Sequence, residues 1–141
     1  MKKFTSKTQK IGEIGENLAC KKLLSLGFKI LERNYTRKGG EIDIIAKKGN
    51  KLYFIEVKSV SREIHKDAQK NTDVPHETRK YYRPEENMTF SKFKKMSRTI
   101  ELYLLEKHVS HETPWQMDLA CAYIDLNKKV GRVEILENII F

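Results

Sequence analysis

A chain of 141 residues with 28 Lys/Arg against 19 Asp/Glu carries a formal charge of +9. That length fits one domain with one hydrophobic core. No apolar run approaches a membrane span, and the basic opening MKKFTSKTQK lacks an apolar stretch behind it, so a cytoplasmic protein with no membrane partner is expected. Cys20 and Cys121 have no paired spacing, which suits reduced thiols.

The charge is uneven. Residues 1–58 hold 14 Lys/Arg against 6 Asp/Glu, whereas residues 59–141 hold 14 against 13. Such a concentration of positive charge points to a polyanionic partner, nucleic acid first.

In chain order, residues 8–26 predict an amphipathic helix, with Gly12, Glu16, Ala19, Leu23 and Leu26 on one stripe and Gly27 just past its end. Residues 28–36 have strand character, and Gly39-Gly40 makes a turn, with Arg33 and Asn34 read as shaping it. EIDIIAK and LYFIEVK predict two strands around Lys48-Gly49-Asn50. Residues 61–88 read as an insertion within the one domain 1–141, too long for an ordinary loop and containing Tyr81-Tyr82 among basic residues. Residues 89–107 predict a second helix that buries Phe93, Met96, Ile100, Tyr103 and Leu104. A hairpin over residues 116–125 and 132–136 closes the chain. The order α-β-β-β-α-β-β implies an α/β fold, a central mixed sheet of about five strands flanked by helices. His108-x-x-His111 and Cys121 lack a clear fourth ligand for zinc.

The central hairpin carries the chemistry. With Gly49-Asn50 as a two-residue loop, facing residue numbers sum to 99, so Asp43 opposes Glu56 and Glu41 opposes Lys58. Side chains alternate along a strand, so these four are expected on one face, with Ile42, Ile44, Ile55 and Val57 on the other. Directly opposed carboxylates repel. A hard divalent cation offsets that repulsion and suits oxygen ligands, and a nearby lysine can orient a water. A solvated ion-pair ladder is the plainer alternative.

Asp43 followed by Glu56-Val57-Lys58 on the next strand resembles the PD-(D/E)XK nuclease superfamily, with its restriction-endonuclease-like core. More closely, GEIGENLACKKLLSLGFKILERNYTRKGGEIDIIA followed by LYFIEVK resembles the YraN-like family, which is similar to archaeal Holliday-junction resolvases. The resemblance implies a Mg²⁺- or Mn²⁺-dependent nuclease for DNA, branched or junction DNA included. In it Asp43, Glu56 and Glu16 would bind metal, Lys58 would be the catalytic lysine and Glu41 an accessory carboxylate. Lys92, Lys94, Lys95 and Arg98, with Arg37 and Lys38, are the expected nucleic-acid contacts. A homodimer is expected by analogy with resolvases. A nucleic-acid-binding module that keeps the fold without cutting is the alternative function.

Overall fold

The computed structural model describes residues 6–61 and 89–139, so most of the insertion expected at 61–88, Tyr81 and Tyr82 included, lies outside the described residues. Helix α1 spans Lys7–Ser25. Strands β1 (Lys29–Arg37), β2 (Gly40–Lys48) and β3 (Lys51–Ser61) follow, then helix α2 (Phe90–Glu106), β4 (Trp115–Asp125) and β5 (Val130–Leu136). This is the expected order, and the five strands form one mixed sheet in the order β1-β2-β3-β4-β5. β3 and β4 run parallel while the other neighbours are antiparallel.

Local chemistry sets the helix ends. The Ser6 hydroxyl accepts from the Gln9 amide at 3.1 Å and the Gln9 side chain accepts from the Ser6 amide, a reciprocal cap for donors that the first turn leaves unpaired. At the other end the Phe28 amide donates to the Leu23 carbonyl and the Gly27 amide to that of Leu24, which stops α1 and turns the chain into β1. Thr89 caps α2 by accepting from the Lys92 amide at 3.2 Å. In the β2–β3 turn, Gly49 takes φ +64, a conformation that costs glycine little.

The helices cover opposite faces of the sheet. On the α1 side, Ala19, Cys20 and Leu23 pack with Ile44, Ala46, Ile55 and Ala120. On the α2 side, Met96, Ile100 and Tyr103 pack with Tyr35, Ile42, Ile45, Phe54 and Met117. The buried stripe of α1 runs through Gly15, Ala19, Cys20 and Leu23, and not through Gly12 and Leu26 as the spacing suggested; both of those are exposed. Contact distance explains the difference. A Cβ on Gly15 would lie 1.8 Å from the Ser59 hydroxyl oxygen, so a residue without a side chain lets α1 descend onto β3, whereas a Cβ on Gly12 would meet nothing within 4 Å. That descent places Glu16 at the rim of the sheet.

The C-terminal segment is tied down by a buried carboxylate. Asp118 is 2 % exposed and accepts from the Gln116 side chain and the Asn138 amide, each at 2.8 Å. Cys121 is buried within β4, away from any zinc-like set: among the described residues no three His, Cys, Asp or Glu side chains are grouped to hold a metal ion. Among the same residues no helix is long and apolar enough to cross a membrane.

Two substitutions test the close approach of α1. Gly15→Ala should lower stability by about 1–3 kcal/mol through overpacking. Gly12→Ala should raise it by about 0.5–1 kcal/mol, since alanine suits a helix better than glycine. Urea unfolding of both variants measures the contrast.

Candidate active site at a split between strands

The β2–β3 hairpin keeps the expected register from Lys48↔Lys51 to Ile44↔Ile55. Beyond Ile55 the paired ladder ends. The Asp43 carboxylate instead accepts from the Val57 amide at 2.7 Å, so a side chain takes the place of a ladder carbonyl in the plane of the sheet. Val57 meanwhile stays paired with Ala120 of β4.

The split faces an irregularity in β1. The pairs Arg33↔Ile44 and Tyr35↔Ile42 leave Asn34 across from Asp43, and Asn34 takes φ +53. Asparagine tolerates this left-handed conformation better than most residues. It breaks the strict alternation of side chains. Tyr35 and Ile42 pack toward α2, whereas Ile44 packs toward α1, although only one residue separates each from its counterpart. Of the four residues expected on one apolar face, Ile44, Ile55 and Val57 pack together on the α1 side and Ile42 lies on the other; the polar four are likewise divided, with Glu56 opening beside α2 and Asp43 and Lys58 beside α1. The break falls where Asn34 takes its left-handed conformation opposite Asp43, and a period of two does not anticipate it.

The polar residues meet at the split from two sides. Glu16, Glu41, Asp43 and Lys58 line a cleft of about 700 Å³ beside α1, together with Arg33, Asn34, Thr36 and Ser59. Glu56 and Glu41 line a smaller cavity of about 170 Å³ beside α2, with Lys92, Lys95 and Met96. Asp43 and Glu56 join the two openings, close enough that each carboxyl shifts the proton affinity of the other. Burial pushes Asp43 up to about 6, against the pull of the Val57 amide, and the charges of Glu16 and Glu41 add to the rise. Burial, and then the charge and hydrogen bond of Asp43, push Glu56 up to about 8, while Lys92 pulls it down. Two half-buried carboxyls with raised proton affinity form a hard-oxygen pair whose mutual repulsion a divalent cation would offset.

Glu16 lines the same cleft but is already engaged. Arg33 Nη2 and Asn34 Nδ2 each donate to its Oε1 at 2.9 Å. Arg33 and Asn34, expected to shape the glycine turn, hold a helix carboxylate. Adjacent strand residues ordinarily point to opposite faces, and the left-handed Asn34 lets both reach one oxygen. A contact between residues 17 and 18 positions apart leaves no periodic signal in the sequence.

The predicted phosphate contacts divide. Lys92, Lys94, Lys95 and Arg98 are exposed on α2, and Lys92 and Lys95 reach the opening beside Glu56. Lys38 is exposed in the β1–β2 turn. Arg37 is drawn into a two-pronged bond with Glu106, at 2.9 and 2.8 Å, and lies over the Tyr35 ring. It ties β1 to the end of α2.

Residues 15–126 match the uncharacterised protein family UPF0102. The chain belongs to that family. A UPF0102 protein of Campylobacter lari is 41% identical over 125 residues, covering 89% of this chain and 88% of the relative. One from Campylobacter hominis is 38% identical over 133 residues, covering 94% and 96%. The family match runs from Gly15 within α1 through β4, and so includes Glu16, Arg33, Asn34, Glu41, Asp43, Glu56 and Lys58.

The raised carboxyls give this UPF0102 protein a defined pH response. Their folded-state proton affinities exceed the ordinary carboxylate values near 4, so the folded state binds more protons than the unfolded one above that pH. The stability contributed by the pair is full below about pH 4 and is lost as pH rises through about 6 and then about 8. Asn at position 43 can still accept from the Val57 amide without the charge. In EDTA, Asp43→Asn should therefore match wild type near pH 4 and melt roughly 3 °C or more above it at pH 9, as measured by thermal unfolding across that range.

Proposed function

We propose that this protein is a metal-dependent endonuclease of the PD-(D/E)XK type that hydrolyses phosphodiester bonds of DNA, branched or junction forms included. The observation that carries the reading is the Asp43–Glu56 pair, brought together where β2 leaves β3 and opening onto a cleft that contains Lys58. Asp43 and Glu56 would hold Mg²⁺ or Mn²⁺, with Glu16 as the further carboxylate in the cleft. When bound, the ion supplies Lewis-acid activation of water and charge neutralisation at the phosphate. The protein's own groups do the rest. The Val57 amide fixes the orientation of Asp43, and Lys58 on the cleft wall orients the attacking water. Lys92 and Lys95, beside Glu56, hold neighbouring phosphates, and Lys94 and Arg98 extend that basic surface. A junction presents two strands related by twofold symmetry, and a homodimer is the assembly this reading calls for.

A second reading, a nucleic-acid-binding module without turnover, draws on the engagement of Glu16 by Arg33 and Asn34. The two separate on variants at the split. With Mg²⁺ or Mn²⁺ the protein should cut a panel of single-stranded, flapped and four-way-junction DNA. Asp43→Asn and Lys58→Ala should each lose about 100-fold or more of that rate while DNA affinity stays within about threefold. Salt-sensitive binding with no cleavage of any substrate by either metal would support the binding module and sink the nuclease.

A further inference from the structure

The most heavily tethered carboxylate in the cleft is Glu16. Its Oε1 accepts from Arg33 Nη2 at 2.9 Å, Arg33 Nε at 3.3 Å and Asn34 Nδ2 at 2.9 Å, and Arg33 Nη2 also donates to Asn17 Oδ1 at 2.9 Å. The Arg33 side chain is 38% exposed and that of Glu16 only 15%, so the cation is more open to solvent than the carboxylate it binds. Both residues line the cleft with Asp43 and Lys58, and the Glu16 charge is felt at Asp43. As held, Glu16 does not complete a metal-holding group with Asp43 and Glu56.

A guanidinium fork binds carboxylate and phosphate through the same paired donors. A partly exposed ion pair is weakly held, so a phosphate arriving beside Lys58 can displace the carboxylate. We propose that Arg33 is an exchangeable lock. Without ligand it holds Glu16 off the Asp43–Glu56 pair; a phosphodiester entering the cleft takes Arg33 over and frees Glu16 to join the pair around a divalent cation. The inference rests on the metal-site reading above and adds regulation to it: phosphate and cation reinforce each other's binding through Arg33. A clamp that merely preorients Glu16 for metal predicts the opposite sign when Arg33 is removed.

The test is a Mn²⁺ titration without nucleic acid, read by the paramagnetic resonance of free Mn²⁺. It compares wild type, Arg33→Ala, Arg33→Gln and Arg33→Ala combined with Glu16→Gln, each checked for folding by circular dichroism. Both Arg33 variants should bind Mn²⁺ about tenfold tighter than wild type, and adding Glu16→Gln should abolish the gain. A second arm follows a labelled single-stranded oligonucleotide by anisotropy in EDTA. Glu16→Gln should bind it about fivefold tighter than wild type by releasing Arg33, while Glu13→Gln, which removes a charge from the same cleft, should gain no more than about twofold. Unchanged or weaker Mn²⁺ binding in the folded Arg33 variants overturns the lock, as does a gain that survives Glu16→Gln, or equal oligonucleotide gains in the Glu13 and Glu16 variants. If wild type binds Mn²⁺ and the Arg33 variants show the wrong sign, the lock alone falls. If no folded form binds Mn²⁺, the metal-site reading falls and takes the lock with it.

Discussion

The hydrogen bond from the Val57 amide to the Asp43 carboxylate organises this molecule. A strand that leaves its neighbour exposes amides and carbonyls that must find partners, and a half-buried amide left without one is costly. Here the partner is a carboxylate, so satisfying the backbone also fixes an acid in the plane of the sheet. Glu56 precedes Val57 on β3 and cannot avoid that acid. The raised proton affinity of the pair follows from the same geometry that keeps the split sheet satisfied.

Everything around the split supports it. Val57 is held from its other side by parallel pairing with β4, so β3 does not follow β2 away. Asn34 accepts a left-handed conformation opposite Asp43. Gly15 lets α1 approach closely enough to bring Glu16 to the rim. On the far face, Tyr103 meets both Tyr35 and Phe54 edge to face, with ring centroids 5.3 and 5.6 Å apart, and so fixes α2 and its lysines over β1 and β3. A strongly apolar sheet packed on both faces supplies the rigidity that crowded carboxyls require.

Much of this was legible in the residues. The helix end at Gly27 follows from local capping chemistry, and the Gly49-Asn50 loop sets a register that holds through Ile44↔Ile55. Periodicity located Met96, Ile100 and Tyr103 on the buried side of α2. On α1 it placed Ala19 and Leu23 on the buried side but missed Gly15, because closeness of approach to β3 decided that end of the stripe. It failed again at Ile42, because alternation assumes an unbroken strand. The bonds of Arg33 and Asn34 to Glu16 and of Arg37 to Glu106 were not legible, since those partners lie far away in sequence.

The sequence by itself determined the order of elements, the hairpin register and the nearness of Asp43 to Glu56, because each depends on residues a few positions apart or on a two-residue turn. Tertiary structure alone decided that the two acids meet at an opening between strands and not on a flat face. It also decided that Glu16 is spoken for by Arg33 and Asn34, and that the lysines of α2 approach the pair from the opposite side. Those outcomes turn on how strands part and how closely helices settle, and many-body packing of that kind is written in no single stretch of the chain.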